Sequence, residues 1–467
     1  MIRGGPAAIE TFRDPAGTLS IEGDTVRRRV DPSRAQPALD FLDSELARAW
    51  VAQGLLVATT FAGEDGGFRM LEHPRIFFPT YSWEWTPSAW SAAAGLTLDL
   101  CEALLGRGLI LKDATPLNVL FDGTRPVFVD VLSIDRRDPR SPLWLAYAQF
   151  VRTFLLPLAA YRYLGWPLAA SLSRRDGYEP GDLYPYLSAT RRWSAPMRSL
   201  VTLPYVLEKR ERVKGRGAAG ESAQAAALHQ PPEVAEAVLR RNLHGLRTAL
   251  RKLAPVERES RWSDYPESAD HYAGEDHRQK QAFLRQALQT CAPHQVLDLG
   301  ANTGVYSRIA ASMGANVVAW DTDMAATERN WAQAASDRLP IQPILADAAR
   351  PTPAVGWRNA EGLSLLDRTR GRFDCVLMLG LIHHLLIADQ IPLAQVAGLL
   401  RELTTHWAIV EWVPATDPRF GDLVRGRGDL YGHLNEEQFA ATMEQHFRVA
   451  LKEPLKNGRT LYLLEAR

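Results

Sequence analysis

The residues best suited to chemistry in this 467-residue chain form the run Val296-Leu-Asp-Leu-Gly-Ala-Asn-Thr-Gly304, where an apolar stretch leads through a carboxylate into a glycine-bearing turn. Gly300 and Gly304 let the backbone approach a ligand where any side chain would intrude. Asp298 can accept hydrogen bonds from a ligand or from an ordered water. About twenty residues on, Val317-Val-Ala-Trp-Asp321 ends a second apolar stretch in a carboxylate, the position that suits hydrogen bonds to ribose hydroxyls. Leu345-Ala-Asp347 then sets a third acid where it can accept from an adenine amino group. One such acid means little. Three acidic strand ends in register point to a single nucleoside-bearing ligand. A nicotinamide site would need glycine at Asn302 and a longer glycine pattern matched to pyrophosphate, and the sequence has neither.

Positioning these residues requires alternating strands and helices. The pattern predicts a helix over Lys280–Thr290, a strand over Gln295–Leu299, a helix over Val305–Met313 and a strand over Asn316–Trp320. Further strands are expected at Pro343–Ala346, Cys375–Leu379 and Trp407–Val410, with a terminal pair near Phe447–Lys452 and Leu461–Glu465. Such alternation implies a doubly wound, mostly parallel α/β sheet whose ligands bind at the carboxyl ends of the strands. The motifs fall there.

Composition narrows the class. Lys+Arg and Asp+Glu both total 54, so no bulk positive field attracts nucleic acid, and no nucleic-acid partner is expected. Cys101, Cys291 and Cys375 are far apart in sequence, without metal-ligand spacing, which is the usage of a reducing cytoplasm. The most apolar stretch, Leu143 to Leu172, is broken by Arg152, Arg162 and two prolines and reads as packed helices, not a membrane span. Peripheral membrane contact through it is left open. The linker-like segment Arg210–Pro232, followed by an amphipathic helix over Glu233–Leu253, divides the chain. The expected organisation is an N-terminal domain at 1–208, a linker and connecting helix at 209–260, and a second domain at 261–467.

The stretch from Trp262 to Arg467 resembles class I methyltransferases, and the DLGANTG turn is one of their motif variants. The pieces Tyr272, Lys280, LGLIHHL (379–385), IVEWVP (409–414) and RGDLYGHLNEEQF (427–439) resemble a bacterial group that includes rhizobial nodulation-type methyltransferases. The resemblance implies a Rossmann-like domain binding S-adenosylmethionine through Asp298, Gly300, Asn302, Gly304, Asp321, Asp347 and Gly380. Tyr272 and Lys280 would close over the methionine carboxylate. Residues after the fourth strand face the transferred methyl in this fold, so His383 and His384 are the candidate bases, against a plain capping or packing role. Glu411, at a fifth strand end, is a candidate for orienting substrate, and Asp429, Tyr431 and His433 for a lid. No metal is expected in this domain.

The N-terminal region carries Asp113-Ala-Thr-Pro-Leu-Asn118 between apolar strands, then Arg125-Pro-Val-Phe-Val-Asp130. A D-x-x-x-x-N loop followed by a strand ending in Asp resembles the catalytic loops of kinases and small-molecule phosphotransferases. There the first Asp acts as base, while Asn and the later Asp hold magnesium. By position Asp113 would be the base and Asn118 and Asp130 the metal ligands. No lysine precedes Lys112, so Arg27, Arg28 or Arg29 would have to replace the phosphate-pairing lysine, and no glycine-rich phosphate loop is present. The leading reading is an α+β kinase-like accessory domain. An active phosphotransferase using ATP and magnesium, and an unrelated domain in which Asp113 and Asn118 cap a turn, are the alternatives. The aromatic cluster Phe77, Phe78, Tyr81, Trp83, Trp85 and Trp90 is expected to pack rather than to stack a sugar.

Together these readings predict an S-adenosylmethionine-dependent O- or N-methyltransferase acting on a small molecule or saccharide. A bifunctional kinase-methyltransferase and a non-catalytic cofactor-sensing scaffold stand as alternatives.

Overall fold

The computed structural model describes residues 14–213, 229–255, 271–417, 423–424 and 434–467; the side chains of 22, 211–213 and 271–274 are outside that set. Contacts divide the chain into two units, Met1–Val256 and Glu257–Arg467.

In the second unit the strands are β9 (Gln295–Leu299), β10 (Asn316–Asp321), β11 (Ile341–Leu345), β12 (Phe373–Met378), β13 (Thr404–Trp412), β14 (Phe447–Pro454) and β15 (Thr460–Ala466). They form one seven-stranded sheet in the order β11-β10-β9-β12-β13-β15-β14. The first five run parallel, and β15 pairs antiparallel with both β13 and β14. The chain winds from β9 outward to β11, then crosses to β12 and winds the other way, which makes the gap above β9 and β12 the switch point. This is the doubly wound sheet expected of class I methyltransferases.

Central strands covered on both faces must be apolar throughout. Val296, Leu297 and Leu299 on β9 and Cys375, Val376, Leu377 and Met378 on β12 are accordingly buried. Helix His271–Cys291 adds Phe283, Leu284, Ala287 and Leu288 to the same core. It begins well before the Lys280 expected from periodicity. β13 also starts earlier than expected, at Thr404, because Thr404 pairs with Phe373 across the sheet, a long-range register that local pattern does not encode.

The first unit opens with β1 (Gly17–Glu22), β2 (Thr25–Val30), β3 (Thr60–Asp65) and β4 (Phe68–Pro74), an antiparallel sheet in the order β1-β2-β4-β3. Two short pairs follow: β5 (Leu109–Leu111) with β8 (Ile134–Arg136), and β6 (Val119–Asp122) with β7 (Arg125–Phe128). Their anchor is the helix Pro87–Leu105. Thr86 Oγ1 accepts from Ala89 N at 3.2 Å, and Pro87 occupies the first turn, where its missing N–H costs nothing. Trp85 and Trp90 beside it are fully buried; Trp85 meets Phe121 edge-on at 5.0 Å, and Trp90 Nε1 donates to Phe154 O. Each such ring stabilises by about 1.5–3 kcal/mol. Of the aromatic cluster, Phe78, Trp83, Trp85 and Trp90 are buried, which is core packing. The apolar stretch Leu143–Leu172 becomes several short helices, and among the described residues no helix is long and apolar enough to cross a membrane.

Candidate active site

At the switch point of the second unit lies a cavity of about 760 Å³. The turn after β9 forms one wall. Gly300 and Gly304 have φ of +72° and +78°, and Asn302, with φ +51°, takes the left-handed conformation that asparagine tolerates better than most residues. This is how the turn closes without the third glycine of a nicotinamide fingerprint. A Cβ on Gly304 would stand 2.0 Å from Asn330 Oδ1, and one on Gly300 would press on Leu381 from the loop after β12. Glycine at 304 therefore lets the turn seat on the helix Met324–Asp337, while glycine at 300 keeps the crevice between the two loops open.

Asp321, at the end of β10, lines the cavity and accepts from the backbone N–H of Asn302 at 2.7 Å and of Asp323 at 2.8 Å. Burial lifts its pKa despite those donors. Asp347, after β11, also lines the cavity; its carboxylate accepts from Ala349 N and from Arg350, which reaches on to Asp389 at 2.6 Å. Asp298 is placed differently. Its carboxylate accepts from Ser307 Oγ at 2.6 Å, and it is not among the lining residues. Burial, reinforced by Asp321, pushes it up to about 6. It braces the glycine turn against the following helix.

Gly380, His383 and His384 follow β12 and line the cavity opposite the glycine turn. Gly380 has φ +74°, and a Cβ there would lie 3.5 Å from Glu411 Oε2. The two imidazoles stand 4.3 Å apart between centroids, with His383 buried and His384 partly exposed.

Glu411, near the end of β13, is buried on the cavity wall with one oxygen on Lys280 Nζ and the other 3.3 Å from Arg459 Nη1. Arg459 donates in turn to Asp417 at 2.7 Å. Burial works against the Glu411 charge, but the two cations outweigh it and keep its pKa below the usual value. Lys280, likewise penalised by burial, is held above its ordinary value chiefly by Glu411. The pair is ionised, so Glu411 is a fixed negative charge rather than a proton acceptor, and Lys280 is engaged by a protein carboxylate. The Lys280 ammonium also lies 4.9 Å over the Tyr306 ring.

Several lining residues were not identified from sequence. His277 stands one helical turn before Lys280, a spacing that puts both on one face and was available as a signal. Arg350 lies three residues after Asp347. Asn457 and Arg459 come from the β14–β15 hairpin and had no local signal. The side chain of Tyr272, and the segment holding Asp429, Tyr431 and His433, lie outside the described residues.

No family model matches the chain. It is 30% identical over 474 residues to nodulation protein NoeA of Rhizobium meliloti (strain 1021), with 97% of this chain and 95% of that protein covered. Among solved structures, it is similar to the N-methyltransferase NodS from Bradyrhizobium japonicum WM9, with 12% identity, a TM-score of 0.31, and 41% of this chain and 97% of that one covered. It is also similar to magnesium protoporphyrin IX methyltransferase (ChlM) from Synechocystis PCC 6803 with bound SAM, at 15% identity and TM-score 0.30, covering 43% of this chain and 86% of that one. TM-scores of this size carry no functional inference.

Proposed function

The chain belongs to the family of the nodulation protein NoeA, and from that premise we propose that it is an S-adenosylmethionine-dependent methyltransferase acting on a hydroxyl or amine of a small molecule or saccharide. One observation carries the reading: the cavity at the switch point is walled by the glycine turn after β9, the acid ends of β10 and β11, and the histidine loop after β12. Its parts fit the cofactor. The crevice between Gly300 and Leu381 is one that a Cβ would narrow, Asp321 offers a half-buried carboxylate suited to ribose hydroxyls, and Asp347 lines the cavity with an acid suited to an adenine amino group.

Bound there, S-adenosylmethionine would supply an electrophilic methyl carbon for attack by the acceptor, with its sulfur as the leaving group. The protein's work is alignment and removal of the acceptor's proton. His383 or His384 takes that proton; both line the cavity on the loop after β12. Glu411, ionised and fixed between Lys280 and Arg459, holds the acceptor wall at constant charge. The polar groups of Asn457 and Arg459 on that wall suit an acceptor bearing hydroxyls.

The test is calorimetric titration with S-adenosylmethionine. Asp321→Ala is expected to lose most of the affinity, while His383→Ala/His384→Ala keeps the affinity and loses methyl transfer. Unchanged affinity in Asp321→Ala would remove the cofactor pose described here.

A further inference from the structure

In the first unit, antiparallel pairing of β5 with β8 encloses the β6–β7 hairpin and gathers Asp113, Asn118 and Asp130. Val129 N donates to Asn118 O at 2.9 Å, which fixes the loop beside the strand end that carries Asp130. In a phosphotransferase this is where Asn and the second Asp would hold a divalent ion. Such an ion needs oxygen lone pairs that no protein donor occupies.

A fixed cation already stands at that strand end, and like charge disfavours a second one beside it. Asp130 Oδ1 accepts from Arg28 Nη1 at 2.9 Å, and Arg28 Nη2 reaches Val129 O at 3.3 Å. Asn118 is used at both ends: Oδ1 accepts from Thr115 Oγ1, and Nδ2 donates to Asp113 O, each at 3.3 Å. Asp113 Oδ1 accepts from Gln149 Nε2 at 3.4 Å.

We propose that Arg28 is the built-in cation of this site, standing in for the divalent ion at Asp130 and tying the four-stranded sheet to the loop-bearing layer. Strand alternation selects it among three consecutive arginines. Arg27 pairs with Glu72 at 2.9 Å, Arg29 lies over the Phe68 ring, and Arg28 between them turns inward and is buried. Arginine suits this place because its planar guanidinium fork matches a carboxylate. Backbone bonds also tie the segment before β3 to β7: Val57 N donates to Phe128 O at 3.0 Å, and Phe128 N to Leu55 O at 2.8 Å. The D-x-x-x-x-N loop is then a structural joint, and the first unit takes up no magnesium–nucleotide there and transfers no phosphoryl group.

Two measurements on the full chain test this. Manganese added with ATP, followed by its paramagnetic resonance, should give the same manganese–ATP spectrum with wild-type protein as without it. Separately, Arg28→Met and Asp130→Asn should each lower the melting temperature of the first unit by about 5 °C or more. The double variant should melt no lower than the worse single, because each change removes the same pair. Manganese–ATP binding by the wild type that is lost in Asp130→Asn would overturn the assignment, and so would additive losses in the double variant. The manganese measurement stands even where a variant fails to fold.

Discussion

The two units place their strand-end acids differently. In the second, the acids accept from protein donors and still line a cavity: Asp321 and Asp347 are on its walls, and Lys280, Glu411 and Arg459 form another. In the first, the acids resembling a catalytic set are turned onto protein donors, with Asp130 on Arg28 and Asp113 on Gln149. The residue types are alike. A carboxylate at a strand end becomes a ligand site only where the fold leaves space in front of it, and the switch point of a parallel sheet leaves that space by construction.

The contrast can be broken or sharpened by substitution, starting with the largest expected effect. Replacing both His383 and His384 by Ala should lower methyl transfer about 10²–10⁴-fold, as loss of a general base does. It is read as label passing from methyl-labelled S-adenosylmethionine to low-molecular-weight acceptors, with cofactor affinity retained. Lys280→Met leaves a buried Glu411 with one cation and should destabilise the second unit by about 3 kcal/mol in denaturant unfolding. Adding Glu411→Gln should recover part of that loss. Asp321→Ala should weaken cofactor binding about 10–100-fold, the value of hydrogen bonds to a charged group.

A smaller effect is tied to pH. Burial lifts the Asp298 carboxyl to about 6, above its ordinary value of about 4. Between those values the folded protein holds a proton that the unfolded chain has released, so stability falls as pH rises, and the loss is complete above about 6. Asp298→Asn keeps an acceptor for Ser307 and removes the titration. It should be more stable than wild type by about 1–3 kcal/mol at pH 7 and equal to it near pH 4. Smallest of all, Asp113→Asn in the first unit should change cofactor affinity by less than about twofold, since Asp113 is not among the residues lining the cavity. A larger change would mean that the two units are energetically linked.

Much of the second unit was legible because its signals are local. An apolar strand, an acid at its end and a glycine turn lie within nine consecutive residues, Val296 to Gly304. Winding outward on either side of β9 accounts for the five parallel strands, but not for β15 lying between β13 and β14. The rest depends on long-range pairing. Arg459 reaches the cavity only because β15 returns antiparallel beside β13, setting Thr460 opposite Trp412. Strand-end position suits Asp298 to accept from a ligand or an ordered water, but does not reveal that one of its oxygens accepts from Ser307. In the first unit, Asp113, Asn118 and Asp130 stood out in sequence, and three arginines were equal candidates to accompany them. The register of β2 against β4, with Arg28 opposite Leu71, separates them.

The most direct test of the central claim is titration of the purified full chain with S-adenosylmethionine, followed by magnesium–ATP, by calorimetry. The account predicts saturable binding of S-adenosylmethionine that Asp321→Ala weakens about 10–100-fold, and no heat from magnesium–ATP. A wild-type protein that does not bind S-adenosylmethionine would contradict it.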